Sequence, residues 1–442
     1  MTGSTDPAVG GSVGASVGAS VGDAVRLDVG PVAHGGHFVA RLDRRVVFVR
    51  HALPGELVRA RLTEAGEGAR FWRADAVEVL RASPDRVDAP CPWSGPGRCG
   101  GCDFQHVAVP AQRSLKGAVV AEQMRRLAGL DVTVDVEPVP GDDGGLGWRT
   151  RVQYAVDDSG RAGLRVHRSH DVVGVDDCRI AHDGVRGLDV TGRRWPGWAG
   201  VEAVAPAGSG PLVVLTAPDA APRRPAVPDV PGASVAVVRE GGVDRVRGRT
   251  WVTERVDVGS GTREFRVTGS GFWQVHPGAA EALVSAVLDG LAPRAGEQAL
   301  DLYSGAGLFA AALALRVGTS GSVVAVEGSA RAVSDARRSL HDLPQVRLEH
   351  GRVDVVLTAA GSSAVFDLVV LDPPRTGAGR RVVEQVSALS PRAIAYVACD
   401  PAALARDVAW FGERGYRLSS LRAFDIFPMT HHVECVALLQ PQ

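Results

Sequence analysis

The C-terminal part of the chain constrains the fold most, because short apolar runs alternate there with helix-like patterns. Six runs have the composition of buried strands: QALDLY, SVVAVE, QVRLEHG, FDLVVLD, AIAYVAC and HVECVALL. Amphipathic patterns such as SARAVSDARRSLHD and PAALARDVAWFGERG separate them. This alternation predicts βαβ units and a doubly wound parallel sheet over residues 266–442. Ligands of such α/β sheets bind at the carboxyl ends of the strands.

The chain before this sheet divides into three further regions. Residues 1–22 repeat Gly, Ala, Ser and Val without a periodic face, which predicts a disordered tail. Five short alternating runs in residues 23–82 predict a small β-barrel of the OB type. Residues 83–265 read as a central α+β domain with an amphipathic helix over QRSLKGAVVAEQMRRLAG. Within that domain, residues 196–232 are rich in Pro, Ala and Gly and predict loops or a mobile excursion.

Composition narrows the functional classes only slightly. The chain is 45% hydrophobic and 22% charged, as in ordinary globular proteins. No apolar run is long enough to cross a bilayer, and the start of the chain lacks the pattern of a signal peptide, so we expect a cytoplasmic protein without a membrane partner. The net charge of −1 gives no argument for a nucleic-acid partner.

A glycine-rich turn joins the first predicted strand of the sheet to its helix. The sequence DLYSGAGLFA, residues 301–310, lets the backbone approach a ligand and leaves free N–H groups at the helix N-terminus. Glu327 ends the next strand, where it is placed to accept hydrogen bonds from ribose hydroxyls. Taken alone, this pattern suits either NAD or S-adenosylmethionine.

Two later strand ends carry reactive groups. In LVVLDPPRTG, two prolines cannot continue a central strand, so they hold Asp372 at its tip over the cofactor cleft. In YVACDP, Cys399 ends an apolar strand just before a helix. A buried structural cysteine is the ordinary reading of such a position. The helix N-terminus, however, predicts a lowered thiol pKa and a nucleophilic thiolate at Cys399.

Near the C-terminus, Glu434 interrupts the apolar strand of HVECVALL. A carboxylate in that position is paired, faces solvent, or acts as a base with a raised pKa. We favour the base, and we expect the adjacent Cys435 to be a core residue.

A cysteine cluster marks the central domain. Cys91, Cys99 and Cys102 lie close together in CPWSGPGRCGGCDFQH, and Cys178 is available as a fourth thiol. A reducing cytosol argues against disulfides. Cys-x2-Cys spacing suits either tetrahedral zinc or an iron–sulfur cluster. Three clustered thiolates and one distant thiolate favour the iron–sulfur cluster, since zinc usually draws on two closely spaced pairs.

Together these motifs resemble those of the bacterial RNA uracil-5-methyltransferases that carry an N-terminal TRAM domain and a [4Fe–4S] cluster. The resemblance covers nearly everything after residue 22 and rests on the cysteine cluster, FWQVHP, DLYSGAGLF, VVLDPPR, YVACDP and HVEC in the family's order. It implies an S-adenosylmethionine-dependent enzyme with Cys399 as nucleophile and Glu434 as proton-abstracting base. The cofactor contacts it implies are Gln274, Tyr303, Glu327 and Asp372, and the cluster ligands are Cys91, Cys99, Cys102 and Cys178.

The resemblance also implies the substrate. We expect a monomer that acts on structured RNA, 23S rRNA before tRNA, with the target uridine flipped into the cleft. The barrel would supply an RNA-binding surface, with Phe38, Phe48 and Phe71 as stacking candidates. Alternatives are an RNA cytosine-5-methyltransferase, an inactive RNA-binding factor and an NAD-dependent oxidoreductase.

This sequence departs from the family's pattern at two places. Asp400 replaces the usual Asn after the nucleophile, and its charge would raise the thiol pKa if it lies close to Cys399. The loop between Cys91 and Cys99 is longer than the family's pattern leads us to expect.

Overall fold

A computed structural model describes residues 19–66, 68–218, 225–240, 242–361 and 365–442. The chain divides into two compact units, one up to Arg86 and the other from Val87 to Gln442. Within the described residues, no helix is long and apolar enough to cross a membrane. Most of the tail that was predicted to be disordered lies outside these ranges. Its end is ordered, because the Gly22 N–H donates to the Leu62 carbonyl at 2.9 Å.

The first unit is a closed barrel of five strands in the order β1-β2-β3-β5-β4, which confirms the predicted barrel. Buried residues alternate with more exposed ones along β4 and the first half of β5, as in a small closed barrel. The strands are β1 Ala24–Ala33, β2 His37–Leu42, β3 Arg45–Arg50, β4 Leu57–Glu64 and β5 Trp72–Arg81.

The prediction that Phe38 stacks on RNA bases is wrong. Phe38 is fully buried in the barrel core, where it cannot stack on a base. Phe48 and Phe71 do lie together near the surface, with ring centroids 5.2 Å apart and nearly perpendicular planes. Phe71 is 38% exposed, and the Arg73 guanidinium lies over its ring at 5.1 Å.

The first helix of the second unit is the predicted amphipathic helix, α1 Val109–Gln123. It continues into a π-helical turn over Met124–Ala128. A seven-stranded sheet in the order β13-β12-β11-β10-β7-β8-β9 and a β14–β15 hairpin follow. The elements are β6 Val136–Pro138, β7 Arg151–Val156, β8 Ala162–Arg165, β9 Val172–Val173, α2 Asp183–Arg186, β10 Gly200–Val204, β11 Leu212–Thr216, β12 Ser234–Arg239, β13 Gly242–Arg247, β14 Trp251–Asp257 and β15 Thr262–Thr268.

The prediction of loops over residues 196–232 is wrong where β10 and β11 form. These two strands pair along their whole length and bury Val201, Val213 and Leu215. Apolar residues on central strands therefore outweigh the flanking Pro and Gly. Residues 219–224 of the same prediction lie outside the described residues.

The rest of the second unit is an eight-stranded sheet in the order β18-β17-β16-β19-β20-β22-β21-β6, with helices on both faces. Its elements are α3 Ala279–Leu291, β16 Gln298–Leu302, α4 Leu308–Val317, β17 Ser322–Glu327, α5 Ala330–Ser339, β18 Val346–His350, α6 Val353–Ala360, β19 Leu368–Leu371, α7 Arg380–Ala388, β20 Ala393–Ala398, α8 Pro401–Gly412, β21 Tyr416–Asp425 and β22 Glu434–Pro441.

The sheet is mixed, which corrects the prediction of a parallel sheet. Strands β16 to β20 run parallel, but β22 runs antiparallel to both β20 and β21. The cause is β21, a half-exposed strand that the apolar pattern did not reveal. It pairs with β22 through a loop of residues 426–433, which we call the base loop. The beginning of β22 therefore lies at the same edge as the carboxyl ends of the parallel strands.

Candidate active site

The glycine-rich turn after β16 has a backbone that few side chains tolerate. Tyr303 has a φ of +62°, and Gly305 and Gly307 have φ of +54° and +91°. An aromatic residue in the left-handed region costs on the order of 1–3 kcal/mol and persists only where its surroundings enforce it. A side chain at Gly305 would meet open space, so the turn leaves room beside its backbone.

Glu327, at the end of β17, holds this turn in place. One carboxylate oxygen accepts a hydrogen bond from the Gly305 N–H at 2.9 Å, and the other accepts from the Ser329 N–H at 2.6 Å. Each oxygen keeps a second lone pair for a ligand. Glu327 therefore shapes the turn in addition to its predicted role as a ribose contact.

The strand register brings Cys399 and Glu434 face to face. Ala398, the last residue of β20, pairs with Cys435 of β22 in an antiparallel ladder, so Cys399 leaves the strand beside Glu434, the first residue of β22. The Glu434 carboxylate contributes to raising the pKa of Cys399, so the two side chains lie close together. Glu434 is 3% exposed and Cys399 is partly exposed, which places a buried carboxyl beside an accessible thiol. Cys435 is buried, as predicted.

The loop after Asp372 is fixed to the helix that follows Cys399. The Asp407 carboxylate on α8 accepts hydrogen bonds from the Ala378 N–H at 2.8 Å and the Gly379 N–H at 3.2 Å. The Tyr396 hydroxyl donates to the same carboxylate at 2.6 Å. Asp372 and Cys399 thus stand at the ends of neighbouring strands, and one buried aspartate stiffens both connections.

The thiol pKa differs from the prediction. Burial raises the pKa of Cys399 to about 11, and the carboxylates of Glu434, Asp372 and Asp400 add to the rise. These effects exceed that of the helix N-terminus, so the predicted lowering is wrong. The expectation that Asp400 would raise the thiol pKa is confirmed in direction. Its carboxylate also caps α8, accepting from the Ala403 N–H at 2.8 Å.

One cation opposes these carboxylates. The Arg375 guanidinium lowers the pKa of Cys399 and of Glu434, although burial and Asp372 keep the pKa of Glu434 well above its usual value. The sequence analysis quoted Arg375 within LVVLDPPRTG without assigning it a role. Its position directly after the two prolines was the available signal.

We expect the substitution Arg375→Gln to move the ionisation of Cys399 to higher pH, because it removes a positive charge that favours the thiolate. The rate of Cys399 alkylation by iodoacetamide, followed against pH, would measure the shift. Arg380→Gln, on the exposed start of α7, is the matched control. An unchanged profile for Arg375→Gln would contradict the assignment.

Comparisons with known proteins decide the family. Residues 235–442 match the family profile of tRNA (Uracil-5-)-methyltransferase, and residues 18–77 match the TRAM domain. An uncharacterised RNA methyltransferase of Streptomyces coelicolor is 56% identical over 94% of this chain and 92% of its own length. The 23S rRNA (uracil(1939)-C(5))-methyltransferase of Pseudomonas fluorescens is 32% identical over 94% of both chains. The chain belongs to the RNA uracil-5-methyltransferase family.

A solved structure supports the fold of this uracil-5-methyltransferase along nearly its whole length. The tRNA (uracil-54, C5)-methyltransferase of Pyrococcus abyssi, in complex with S-adenosyl-L-homocysteine, superimposes with a TM-score of 0.68. The match covers 93% of this chain and all of the archaeal chain, at 23% identity.

The four cysteines predicted as cluster ligands line the same cavity in this family member. Cys91, Cys99, Cys102 and Cys178 all line one cavity of the central region. Burial raises the pKa of the Cys99, Cys102 and Cys178 thiols. Within the part of the chain that the structure describes, no three Cys, His, Asp or Glu side chains form a group close enough to hold one metal ion.

An arginine-lined groove of about 1100 Å³ crosses the central sheet. Phe272, 73% exposed, lies at its wall in the segment that leads to Gln274. The Arg151 guanidinium donates to the Gly271 carbonyl at 2.6 Å and so fixes this segment against the sheet. The arginines along the groove are Arg149, Arg151, Arg165 and Arg168.

Most of the predicted site residues of this methyltransferase meet at one edge of the catalytic sheet. Glu327 ends β17, and Tyr303 and Asp372 directly follow β16 and β19; these three strands are neighbours in the sheet. Gln274 is buried between β15 and α3, and its contact with the cofactor stays a prediction. The sequence analysis quoted Asp301 within DLYSGAGLFA but did not assign it a role in the site; it is a fully buried carboxyl near the end of β16. Burial raises its pKa well above the usual value, as do Asp372 and Glu327.

Proposed function

We propose that the protein transfers a methyl group from S-adenosylmethionine to carbon 5 of a uridine in RNA. The opposed Cys399 and Glu434 at the carboxyl edge of the sheet carry this proposal. Cys399 is the nucleophile and Glu434 the base. Gln274, Tyr303, Glu327 and Asp372 hold the cofactor.

The charges at this edge favour S-adenosylmethionine over NAD. Asp372 and Glu327 lie close enough to Asp301 to raise its pKa, and Asp372 also raises the pKa of Glu434. A cluster of carboxyl groups suits a ligand with a sulfonium and an ammonium group, whereas it would repel the diphosphate of NAD. Entry of the cationic cofactor would also lower the raised pKa values of these carboxyls.

The opposed pair supplies the two groups that the reaction needs. The Cys399 thiolate forms a bond to carbon 6 of uracil, and the resulting enolate attacks the methyl group through carbon 5. The sulfonium sulfur leaves with the electron pair of its former bond to the methyl group. The Glu434 carboxylate then takes the proton from carbon 5, and the electron pair released expels Cys399 from carbon 6. A high pKa makes Glu434 a stronger base once it has ionised.

RNA is the substrate that the surfaces support. The arginine-lined groove with its exposed Phe272 offers charge for phosphates and a ring for stacking, and Phe48 and Phe71 offer a second aromatic surface on the barrel. The likeness to the Pseudomonas enzyme over 94% of both chains supports 23S rRNA as the target. A tRNA is the second candidate, because the matching family profile and the archaeal structure are both named for tRNA enzymes.

Nucleoside analysis would test this proposal. The purified protein is incubated with methyl-labelled S-adenosylmethionine and total RNA from a strain that lacks the gene, and the RNA is separated by size. Labelled 5-methyluridine in the large ribosomal RNA is the expected result. Label in tRNA would select the second target, labelled 5-methylcytosine would indicate the cytosine enzyme, and no label would refute the methyltransferase proposal.

We also propose that Cys91, Cys99, Cys102 and Cys178 hold a [4Fe–4S] cluster. Their common cavity supports it, and four iron atoms keep four cysteine sulfurs farther apart than a single ion does. When bound, the cluster would tie Cys178 to the loop of the other three cysteines and so order the central region.

Anaerobically purified protein is expected to contain about four iron atoms and four sulfides per chain, with broad absorption near 400 nm. Cys178→Ser should lower the iron content by more than half, while Cys435→Ser, at a core position outside the cavity, should not. Stoichiometric zinc without iron would contradict the assignment.

A further inference from the structure

Close to Glu434, the base loop makes hydrogen bonds to the segment that carries Cys99 and Cys102. The His431 Nδ1–H donates to an Asp103 carboxylate oxygen at 2.6 Å, and the His431 backbone N–H donates to the same oxygen at 3.3 Å. The ring nitrogen must carry the hydrogen, because a carboxylate only accepts. Asp103 is buried and His431 is partly exposed, so this charge-assisted contact is partly shielded from solvent.

A second set of hydrogen bonds fixes the base loop at Met429, two residues before His431. Met429 has a φ of +65°, which is costly for a side chain of this kind. Its N–H donates to the Gln112 side chain at 2.8 Å, and its carbonyl accepts from the Phe104 N–H at 2.9 Å. Both partners belong to the segment from the cysteine loop into α1. The strained conformation persists because the hydrogen bonds on both sides of Met429 fix it.

The start of the base loop is fixed by Lys116, the chain's one lysine. Lys116 is 1% exposed, and its ammonium group donates to Asp425 at 2.5 Å and to the Phe427 carbonyl at 3.0 Å. A buried pair of this kind is strongly destabilising to break, so Lys116 anchors the fold of the region.

The His431 contact differs from the other two in its place along the chain. It lies three residues before Glu434, with only the neutral His432 ring and the buried Val433 between them. We propose that His431 and Asp103 are positioning residues that set the carboxylate of Glu434 for removal of the carbon 5 proton. This inference rests on the proposed function and adds to it a contact between segments 328 residues apart.

The order of the chemical steps gives this role a distinctive signature. Methyl transfer needs Cys399 and the cofactor, whereas release of the product needs the Glu434 carboxylate in place. A displaced carboxylate therefore slows elimination after the methyl group has moved, and enzyme covalently bound to methylated RNA accumulates. A general loss of stability would instead lower both steps together.

The test uses the full-length holoenzyme with methyl-labelled S-adenosylmethionine and its RNA substrate. His431→Ala and Asp103→Ala are expected to lower steady-state turnover about 10- to 100-fold, as a displacement of about 1 Å can. Both should retain single-turnover methyl transfer and accumulate a covalent protein–RNA complex, visible as a labelled shifted band on a denaturing gel. Asp103→Asn keeps an acceptor for His431 and should stay near wild type.

Glu137→Gln is the matched control. It breaks the Arg422–Glu137 ion pair at 2.8 Å, which joins β21 to β6 and includes no residue of the base loop. Wild-type behaviour of His431→Ala, or a parallel loss of methyl transfer and adduct, would overturn the proposal.

Hydrogen–deuterium exchange separates this inference from the proposed function. Amides of residues 426–434 should exchange faster in His431→Ala than in wild type or Glu137→Gln, whether or not the protein methylates RNA. Unchanged exchange would overturn the role of the contact. No methyl transfer by wild type would sink the proposed function, and the exchange result would still decide whether His431 holds the loop.

Discussion

Cys399→Ala is expected to abolish methylation while leaving cofactor binding intact. Without the thiolate no bond forms at carbon 6, and carbon 5 of uracil is then too weak a nucleophile to take the methyl group. Loss of an essential nucleophile lowers turnover by at least about 10³-fold, since the remaining residues bind without activating the substrate. Labelled methyl incorporation gives the rate, and calorimetry with S-adenosylhomocysteine gives the binding.

Cys435→Ala serves as the control for a thiol lost from the neighbouring position. It lies beside Glu434 but is buried in the core, so methylation should persist even if stability falls by about 1–2 kcal/mol. RNA carrying 5-fluorouridine should form a stable adduct with wild type and none with Cys399→Ala, because fluorine blocks removal of the carbon 5 substituent. An adduct that survives Cys399→Ala would transfer the nucleophilic role to another residue.

Glu434→Gln is expected to stop the reaction one step later. The amide occupies the same volume but cannot take the carbon 5 proton, so turnover should fall about 10²- to 10⁴-fold. Methyl transfer from the sulfonium sulfur to carbon 5 still proceeds once, and the methylated RNA should remain attached to Cys399. Denaturing electrophoresis of the labelled complex, compared with wild type and with Cys399→Ala/Glu434→Gln, measures this trapping.

Glu384→Gln, at a half-exposed position of α7 that pairs with Arg380 and Arg414, controls for the removal of a carboxylate from the same unit. Wild-type turnover by Glu434→Gln would show that another group takes the proton. Loss of turnover without any trapped adduct would place Glu434 before methyl transfer, not after it.

The apolar pattern was a sufficient guide where strands are buried on both faces. Strands β16, β17, β19 and β20 are continuous apolar runs between helices, and each was found at its predicted place. The pattern carries no information on strand direction, which is why β22 was predicted parallel. Strand β21 was not predicted because polar residues interrupt its apolar pattern.

The site was predictable where chemistry depends on local sequence, and less so where it depends on distant charges. The glycine turn, Asp372-Pro373-Pro374 and Cys399 are visible as short motifs. The raised thiol pKa depends mainly on burial, and then on carboxyls such as Glu434 and Asp372 that are distant in the sequence, so only the fold reveals it. The contact between Asp103 and His431 has no local signature at all.

Strand β6 belongs to the central region in sequence but to the catalytic sheet in the fold, so the two parts of the second unit depend on each other to fold. It lies more than a hundred residues before the catalytic sheet, yet it supplies the outermost strand by pairing with Ala423, Phe424 and Asp425 of β21. A fragment restricted to residues 266–442 would leave β21 as a bare edge, and unprotected edges recruit other chains. Residues 266–442 therefore do not contain the whole catalytic sheet. Grafting it onto a different RNA-binding module would require the segment from α1 to β6 to travel with it.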